Sequence, residues 1–344
     1  MSHEPESTPL AANNWRKAIG MAVVGAVFVG LLALAFLWPG KVAEPRNVPM
    51  AITGDDPRQV AAVSQQIEDK AEGAVKLVEV ASRDQAVAKL ESREVFGALI
   101  LSAPAPEVLT ASANGLASRM VAELAGGVAQ AAMAAAAQAA PEAPPVTVET
   151  TDVVPAHSTK FDVGQLIMPL VFGGAIGGVL VSAAIAGRGQ RLAALALLAV
   201  LVGCLVYLIL GLWFDLLPGG FLPIAGALAL AIFATGAFVA GSYALIGVPG
   251  LAGAIVITLL VSNPISGMAV PTSFLPPPWG AIGQALTIGA GGSLVRGAAY
   301  FRTGQVCLTP LLVLLAWSVL GAAAIMLKRR QPLAALASPS LMRH

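Results

Sequence analysis

Charged residues are scarce in this chain. Lys, Arg, Asp and Glu together make up 11% of its 344 residues, whereas an ordinary soluble domain has about 25%. Hydrophobic residues make up 57% of the chain, and the mean hydropathy is +0.79. This composition excludes an ordinary soluble globular protein and is typical of an integral membrane protein.

Cysteine and histidine are scarce as well. The two cysteines, Cys204 and Cys307, lie within or beside apolar runs and do not form a disulfide framework. His3, His157 and His344 stand alone, with no cysteine or paired carboxylate at the spacing that metal ligands need. We therefore predict no metal site and no cofactor.

Motifs for catalysis and energy coupling are missing from the sequence. It has no glycine-rich loop followed by Lys and Ser or Thr, so the chain carries no phosphate-binding ATPase motif of its own. Its predicted spans contain no carboxylate or other ionisable group of the kind that ion-driven transporters use. We predict that the chain is not an enzyme and has no catalytic residues, and that energy for any transport comes from another subunit.

What the chain does have is a block of apolar segments at 164–327. Its charged residues lie at breaks between these segments: Arg188, Arg191, Asp215, Arg296 and Arg302. Five spans are predicted in the block, at about 164–186, 192–214, 221–246, 251–263 and 306–327. An earlier apolar run, 18–38, is also long enough to cross a bilayer and is predicted to be an uncleaved signal anchor. The expected fold is therefore an α-helical membrane protein with six transmembrane helices.

Basic residues predict the orientation of these spans. They cluster at three places along the chain: Arg16 and Lys17, Arg188 and Arg191, and Lys328, Arg329 and Arg330. Because cytoplasmic loops carry an excess of Lys and Arg, we predict a multi-pass protein of the bacterial plasma membrane with both termini in the cytoplasm. Residues 1–17 are then a cytoplasmic segment, and 328–344 a basic cytoplasmic tail.

Residues 39–163 form a second region, which is acidic. It holds sixteen of the nineteen acids but only ten of the twenty bases, which predicts a water-soluble extracytoplasmic domain between the first and second spans. Strands predicted at 48–53, 75–80 and 95–101 alternate with helices, and this order favours a parallel sheet with right-handed crossovers. Segment 107–112 is a candidate further strand, and 146–154 a final extended segment.

Helix starts in this domain carry typical capping residues. Asp55 and Asp56 resemble a carboxylate pair for a cation, but at a strand-to-helix turn such residues more often cap the helix and favour its dipole. Ser82 and Gln85 form a capping-box pair. Asn114 is predicted to cap a long alanine-rich helix whose tail is either solvated, frayed or a partner contact.

The outer segment 264–305 is apolar but interrupted by proline and glycine. It contains Pro276, Pro277 and Trp279 near its middle and Arg296 and Tyr300 near its end. Because irregular backbone at membrane depth must be covered by protein or water, we predict a re-entrant or interfacial hairpin. The Arg296 side chain either pairs with lipid head groups or an anionic substrate, or snorkels to the interface.

Small residues on the second span predict close helix packing. Gly173 with Gly177, and Gly174 with Gly178, form two overlapping small-xxx-small pairs, which let a neighbouring helix approach closely. The neighbour is either another helix of the same protomer or the partner in a homodimer or paired permease. The sequence leaves both alternatives open.

The layout resembles that of a known family. An anchor span, a large outer domain that begins with VPMAITGDD, five more spans and the segment PTSFLPPPWGAIGQALTIGAGGSLVRGAAYF are similar to the YhgE/Pip (phage infection protein) group of bacterial membrane proteins. That group is similar to permeases of ABC type-2 exporters. The resemblance implies that Pro276, Pro277, Trp279, Arg296 and Tyr300 belong to an outer hairpin between the last two spans, and that two permease subunits work with a separate cytoplasmic ATPase.

Two functions are compatible with these features. The first is a permease-like subunit of an export system, whose outer domain receives or guides a lipid-like, glycan or peptide cargo. The second is a scaffold or receptor for secretion, envelope assembly or phage recognition, which needs no ATPase. The expected partners are the lipid bilayer, a second permease and a possible ATPase, and no nucleic acid.

Overall fold

The computed structural model describes residues 9–102, 105–139, 147–158, 161–301 and 304–328. In this part of the chain an apolar helical bundle carries a small α/β domain. The bundle helices are α1 (Pro9–Val42), α5 (Ile167–Ala184), α6 (Arg188–Tyr207), α7 (Phe221–Ile246), α8 (Val248–Val256), α9 (Trp279–Ala285), α10 (Thr287–Tyr300) and α11 (Gly304–Leu327). The domain has strands β1 (Val48–Gly54), β2 (Val75–Glu79), β3 (Gly97–Leu101), β4 (Glu107–Thr110) and β5 (Glu149–Asp152), with helices α2 (Pro57–Ala71), α3 (Arg83–Glu91) and α4 (Leu116–Ala139).

Five helices in the described residues are long and apolar enough to cross a membrane. They are Trp15–Val42, Val163–Ala184, Arg188–Trp213, Phe221–Ile246 and Gly304–Leu327. This finding confirms the prediction of a helical membrane-embedded protein. The predicted span at 251–263 differs, because α8 has 9 residues and continues as a π-helical turn of 6 residues, Ile257–Ser262. Together they rise about 22 Å, less than the roughly 30 Å of a bilayer core.

The bundle is organised around α7, which packs against α5, α6, α8, α10 and α11. Large buried side chains on this helix include Ile224, Leu228 and Tyr243. Small residues bring the neighbours close: a Cβ on Gly174 would lie 2.5 Å from the Thr235 Cβ, and one on Gly321 of α11 would lie 2.5 Å from the Ala237 backbone. These contacts leave no room for larger side chains at Gly174 and Gly321.

The α/β domain has a five-stranded sheet in the order β2-β1-β3-β4-β5. The pairs β1–β2 and β1–β3 are parallel, as predicted, but β3 and β4 are antiparallel. The direction of β4, which the sequence left open, thus differs from that of the first three strands. Five residues, 102–106, separate β3 from β4, too few for the crossover that a parallel pair needs, so the two strands pair antiparallel.

Alternating side chains of the sheet enter two cores. Met50 of β1 and Leu99 of β3 lie in one core with α2 and α4, whereas Ala98 lies in the other core with Leu90 of α3. This alternation follows from the two-residue period of a strand. The sheet is therefore covered on both faces.

The helix caps follow the sequence prediction in two places and depart from it in one. The Asp56 carboxylate accepts a hydrogen bond from the Arg58 N–H (2.8 Å), and the Ser82 hydroxyl accepts one from the Gln85 N–H (3.3 Å). Asn114 does not cap α4. It lies one residue further from the helix, in the 3-10 turn Ser112–Asn114, and its side-chain oxygen accepts from an arginine instead.

Helix α1 lies largely apart from the other bundle helices. Its apolar side chains, from Ile19 to Leu37, are mostly exposed. It contacts the π-helical turn after α8, and Trp38 packs edge-on against Trp279, with ring centroids 5.7 Å apart. The C-terminal end of α1 is therefore fixed against the segment that precedes α10.

Close packing at Gly178 makes a testable prediction. A Cβ at this position would lie 2.7 Å from the Val239 Cβ and 2.8 Å from the Gly236 carbonyl oxygen, and the backbone oxygen cannot rotate away. We expect Gly178→Ala to lower the stability of the bundle by about 1–3 kcal/mol, measured as thermal unfolding in detergent. Gly226→Ala is the control, because nothing lies within 4 Å of its Cβ position. Equal melting temperatures for the two variants would contradict the packing described here.

Candidate functional site

The α/β domain and the bundle are joined by two phenylalanines. Phe274, from the segment between α8 and α9, is buried in the sheet core that contains α2 and α4. Phe301, which follows α10, is buried in the core on the opposite face of the sheet. The bundle therefore holds the sheet from both faces. We call the end of the bundle where this happens the domain end, and the opposite end the far end.

Hydrogen bonds reinforce this junction along the chain that leaves α1. The Glu44 and Arg46 N–H groups donate to the carbonyl oxygens of Phe274 and Ser273, each at 3.1 Å. The Arg46 guanidinium also donates to the Phe274 oxygen (2.7 Å) and to the Glu44 carboxylate (2.7 Å). The segment before α9 is thus held by backbone and side-chain contacts together.

A cavity of about 700 Å³ lies between the two parts at the domain end. We call it the junction cavity. The α/β domain contributes the turn after α3 and the start of α4, and the bundle contributes the segment before α9, one face of α10 and the first turns of α11. Its polar and charged lining residues include Arg93, Asn114, Arg119, Asp162, Gln284, Ser293, Arg296 and Thr309. Positive charge predominates, because three arginines face one aspartate among these residues.

Arg296 of α10 reaches the junction cavity from the bundle. Its side chain is only 11% exposed, and its Nη2 donates to the Asp162 Oδ1 at 3.2 Å. The same carboxylate oxygen accepts from the Gly164 N–H (2.6 Å), so it is shared. The Arg296 Nε is buried and has no hydrogen-bond partner among the described residues.

Arg93 reaches the cavity from the α/β domain. It adopts a positive φ of 57° in the turn after α3, and its Nε donates to the Asn114 Oδ1 at 2.8 Å. Its guanidinium lies 5.3 Å from the centroid of the Phe301 ring, close enough for a cation–π contact. Arg93 therefore touches both the residue that joins the domains and the wall of the cavity.

The surroundings of Arg93 in the junction cavity lower its pKa. Burial of the guanidinium and the positive charge of Arg296 lower the pKa of Arg93 from its ordinary value to about 9. Arg93 is thus still protonated at neutral pH. Because the folded-state pKa lies below the ordinary value, its charge opposes folding below pH 9, and this cost is relieved as the pH rises through 9.

Asn114 supplies a second buried polar group. The residue is 3% exposed, its oxygen is occupied by Arg93, and its Nδ2 has no hydrogen-bond partner in the part of the chain that the structure describes. A buried donor without a partner is unfavourable. This N–H group and the Arg296 Nε–H group are therefore donors that an acceptor ligand can satisfy.

Neutral polar groups complete the cavity on the bundle side. The Ser293 hydroxyl donates to the Gln284 Oε1 (2.6 Å), and the Gln284 Nε2 donates to the Ser266 carbonyl oxygen (2.7 Å). These bonds fix α9 and α10 relative to the segment before them. The polar wall is thus rigid and largely satisfied on this side.

The residues predicted from the sequence fall into different places. Arg296 lines the junction cavity, and Tyr300 lines a smaller neighbouring cavity with Asp162. Trp279 contacts Trp38 instead, and Pro276 accepts a hydrogen bond from the Trp279 N–H (3.0 Å). The predicted hairpin residues are therefore not one site, although they belong to one segment. Pro277 precedes a cis peptide bond to Pro278.

The predicted basic residues also differ in their surroundings. Arg188 donates to the Met326 carbonyl oxygen (2.8 Å), and buried Arg191 donates to the Ile185 carbonyl oxygen (2.6 Å). Both neutralise helix C-termini at the far end. Arg16, Lys17 and Lys328 are exposed, and Arg329 and Arg330 lie outside the described residues.

The four glycines of α5 face two helices of the same protomer. Positions 174 and 178 pack on α7, and Gly177 packs on Leu198 of α6. Gly173 lies between the two helices, near Ile232 of α7 and Val202 of α6. The structure thus gives these positions neighbours within one protomer.

Sequence reasoning missed Arg93, Asn114 and Arg119 as members of one site. They lie in separate segments, and no spacing motif connects them. Only the docking of the domain onto α10 and α11 brings them opposite Arg296.

Among the described residues, no group of three or more His, Cys, Asp or Glu side chains is arranged to hold a metal ion. No family model matches this chain, and no curated protein or solved structure matches it.

The role of Phe274 can be measured. Phe274→Ala should remove a buried aromatic wedge and destabilise the docked α/β domain by about 3–5 kcal/mol, so that the amides of β1 exchange hydrogen for deuterium faster. Phe214→Ala is the matched control, since Phe214 is exposed. If both variants exchange at the wild-type rate, Phe274 does not hold the junction.

Proposed function

We propose that this chain is a permease-like membrane subunit of an export system, with energy supplied by a separate ATPase. The observation that carries the proposal is the arrangement of α9 and α10. Helix α10 packs against α7 and α11, and α9 packs against α10 and α11. The chain on either side of these two short helices supplies the two phenylalanines that hold the outer domain. A movement of the bundle would therefore be transmitted directly to the domain and to the junction cavity.

The depth of the hairpin supports a transport role. The Thr287 hydroxyl at the start of α10 lies 2.9 Å from the hydroxyl of Thr235, which is near the middle of the 26-residue α7. If α7 crosses the bilayer, α10 begins near the midplane and rises to the domain end. The segment 264–305 is then a re-entrant hairpin, and such irregular backbone is found in membranes where it lines a protein-covered pathway.

We further propose six crossings, with α8 and the irregular segment after it forming the fifth. The α/β domain then lies outside the cytoplasm, and the far end with Arg188, Arg191 and Lys328 lies inside, in keeping with the positive-inside rule. The YhgE/Pip resemblance points to the same layout, although it rests on topology and the hairpin motif.

A scaffold or receptor is the second candidate, and a specific observation favours it. The connections at the far end are very short: three residues, 185–187, separate α5 from α6, and Gly247 alone separates α7 from α8. An ATPase would find little surface there among the described residues. A scaffold would need no docking surface for an ATPase.

The orientation can be tested by cysteine labelling. In a background with Cys204→Ala and Cys307→Ala, we expect a membrane-impermeant maleimide to label Asp69→Cys on intact spheroplasts, because Asp69 is exposed on α2. Gly189→Cys, at an open position at the far end, should react only after permeabilisation. The reverse pattern would place the domain in the cytoplasm and overturn the proposed topology.

The choice between permease and scaffold depends on an ATPase partner. We expect purification of the full chain from native membranes in mild detergent to yield a stoichiometric ATPase, whose hydrolysis decreases when this chain is depleted. Mass spectrometry of the purified sample and an ATP hydrolysis assay measure both. A homo-oligomer without hydrolysis, or a complex with envelope proteins alone, would contradict the export proposal and favour the scaffold.

A further inference from the structure

We propose that the junction cavity binds an anionic amphiphile through its phosphate-bearing head group. The binding follows from the cavity itself. That the same amphiphile is the cargo is a further step, which rests on the proposed export function.

The charges of the cavity favour an anion. Among the described residues, Arg93, Arg119 and Arg296 line it with one carboxylate, Asp162, which leaves a formal excess of two positive charges. Asp162 neutralises Arg296 only in part, because its Oδ1 is shared with a backbone N–H. A phosphate group carries the opposite charge and accepts several hydrogen bonds at once.

Two buried donors point to an acceptor ligand independently of net charge. The Asn114 Nδ2 and the Arg296 Nε have no hydrogen-bond partner in the described part of the chain, and both residues line the cavity. They come from different domains, and both residues line the cavity between the domains. A phosphate oxygen satisfies such donors, whereas an apolar ligand does not.

Arg93 and Arg296 also repel each other electrostatically, and this contributes to the lowered pKa of Arg93. An anion placed near both guanidinium groups would offset that repulsion. Ligand binding would therefore stabilise the docked arrangement of the two domains as well as satisfying its donors.

The size of the cavity favours a head group larger than a free phosphate ion. About 700 Å³ lies within the range of sites that hold organic molecules of drug size. Apolar residues such as Met268, Val306 and Pro310 form part of the wall, and these suit the glycerol and first methylene groups of a lipid.

The position of the cavity relative to α11 supplies the argument for an apolar tail. Thr309 and Pro310 of this membrane-length helix line the cavity, and Leu308 and Leu312 beside them are exposed. A ligand with its head group at the arginines can therefore extend its tail along the apolar surface of α11. Inorganic phosphate would make no use of this surface.

The test measures binding to the full chain in neutral detergent, without any ATPase. The probes are phosphatidylglycerol, phosphatidylcholine and inorganic phosphate, followed by native mass spectrometry and by the shift in melting temperature. We expect phosphatidylglycerol to be retained and to raise the melting temperature, and the other two probes to have a smaller effect. Because export is not assayed, failure of the proposed export function would leave this result intact.

Variants locate the site. Arg119 is exposed at the rim of the cavity, so Arg119→Gln should fold normally, and it should weaken phosphatidylglycerol binding several-fold in low salt. Arg296→Gln removes a buried charge-assisted donor and should weaken binding about tenfold. Arg83→Gln is the matched control, because Arg83 pairs with Glu107 and does not line the cavity.

Three results would overturn the proposal. Equal affinity of wild type, Arg119→Gln and Arg83→Gln for phosphatidylglycerol would place any lipid elsewhere. Stabilisation by inorganic phosphate as strong as that by phosphatidylglycerol would show that the cavity binds a free anion and that the apolar tail is not needed. Retention of phosphatidylcholine as strong as that of phosphatidylglycerol would show that the anionic charge is not recognised.

Discussion

Phe274 and Phe301 enter the sheet of the α/β domain from opposite faces, and the rest of the architecture depends on this contact. Each belongs to the core of the domain, although neither is near the domain in sequence. Aromatic burial of this kind contributes several kcal/mol per side chain. The domain is therefore not a free appendage on a linker, and a displacement of α9 or α10 must move the sheet or break one of its cores.

The same contact creates the junction cavity. Because the bundle contacts the sheet at Phe274 and Phe301, a space remains between the bundle and the α/β domain. The side chains on the two facing surfaces form the walls of that space. Here these are Arg93 and Arg119 from the domain and Arg296 from the bundle. Three cations facing one carboxylate are unfavourable without a compensating anion, since burial and mutual repulsion both lower the pKa of Arg93. Fold stability alone gives no reason for this concentration of charge.

The sequence predicts correctly those structural features that depend on residues close together in the chain. The run of apolar residues reveals the membrane helices, and Asp56 and Ser82 cap the helices that follow them. Sequence reasoning failed where the cause is distant in the chain. Asn114 has an arginine from another segment where a cap was expected, and the direction of β4, which depends on its partner strand, was not predicted. Only Arg296 of the cavity cations was singled out in advance, because an arginine within an apolar segment is conspicuous in any sequence.

The shortness of α8 has a structural consequence for the whole bundle. A helix and π-turn of about 22 Å are shorter than the roughly 30 Å of a bilayer core, and the irregular polar backbone that follows them needs hydrogen-bond partners within the protein. The described structure supplies them through α9, α10 and the Gln284 and Ser293 side chains. Once the chain turns back in this way, α10 must rise beside α7 to the domain end, and it carries Arg296 with it. The short helix α8 therefore accounts both for the irregular segment that follows it and for the position of Arg296 in the cavity.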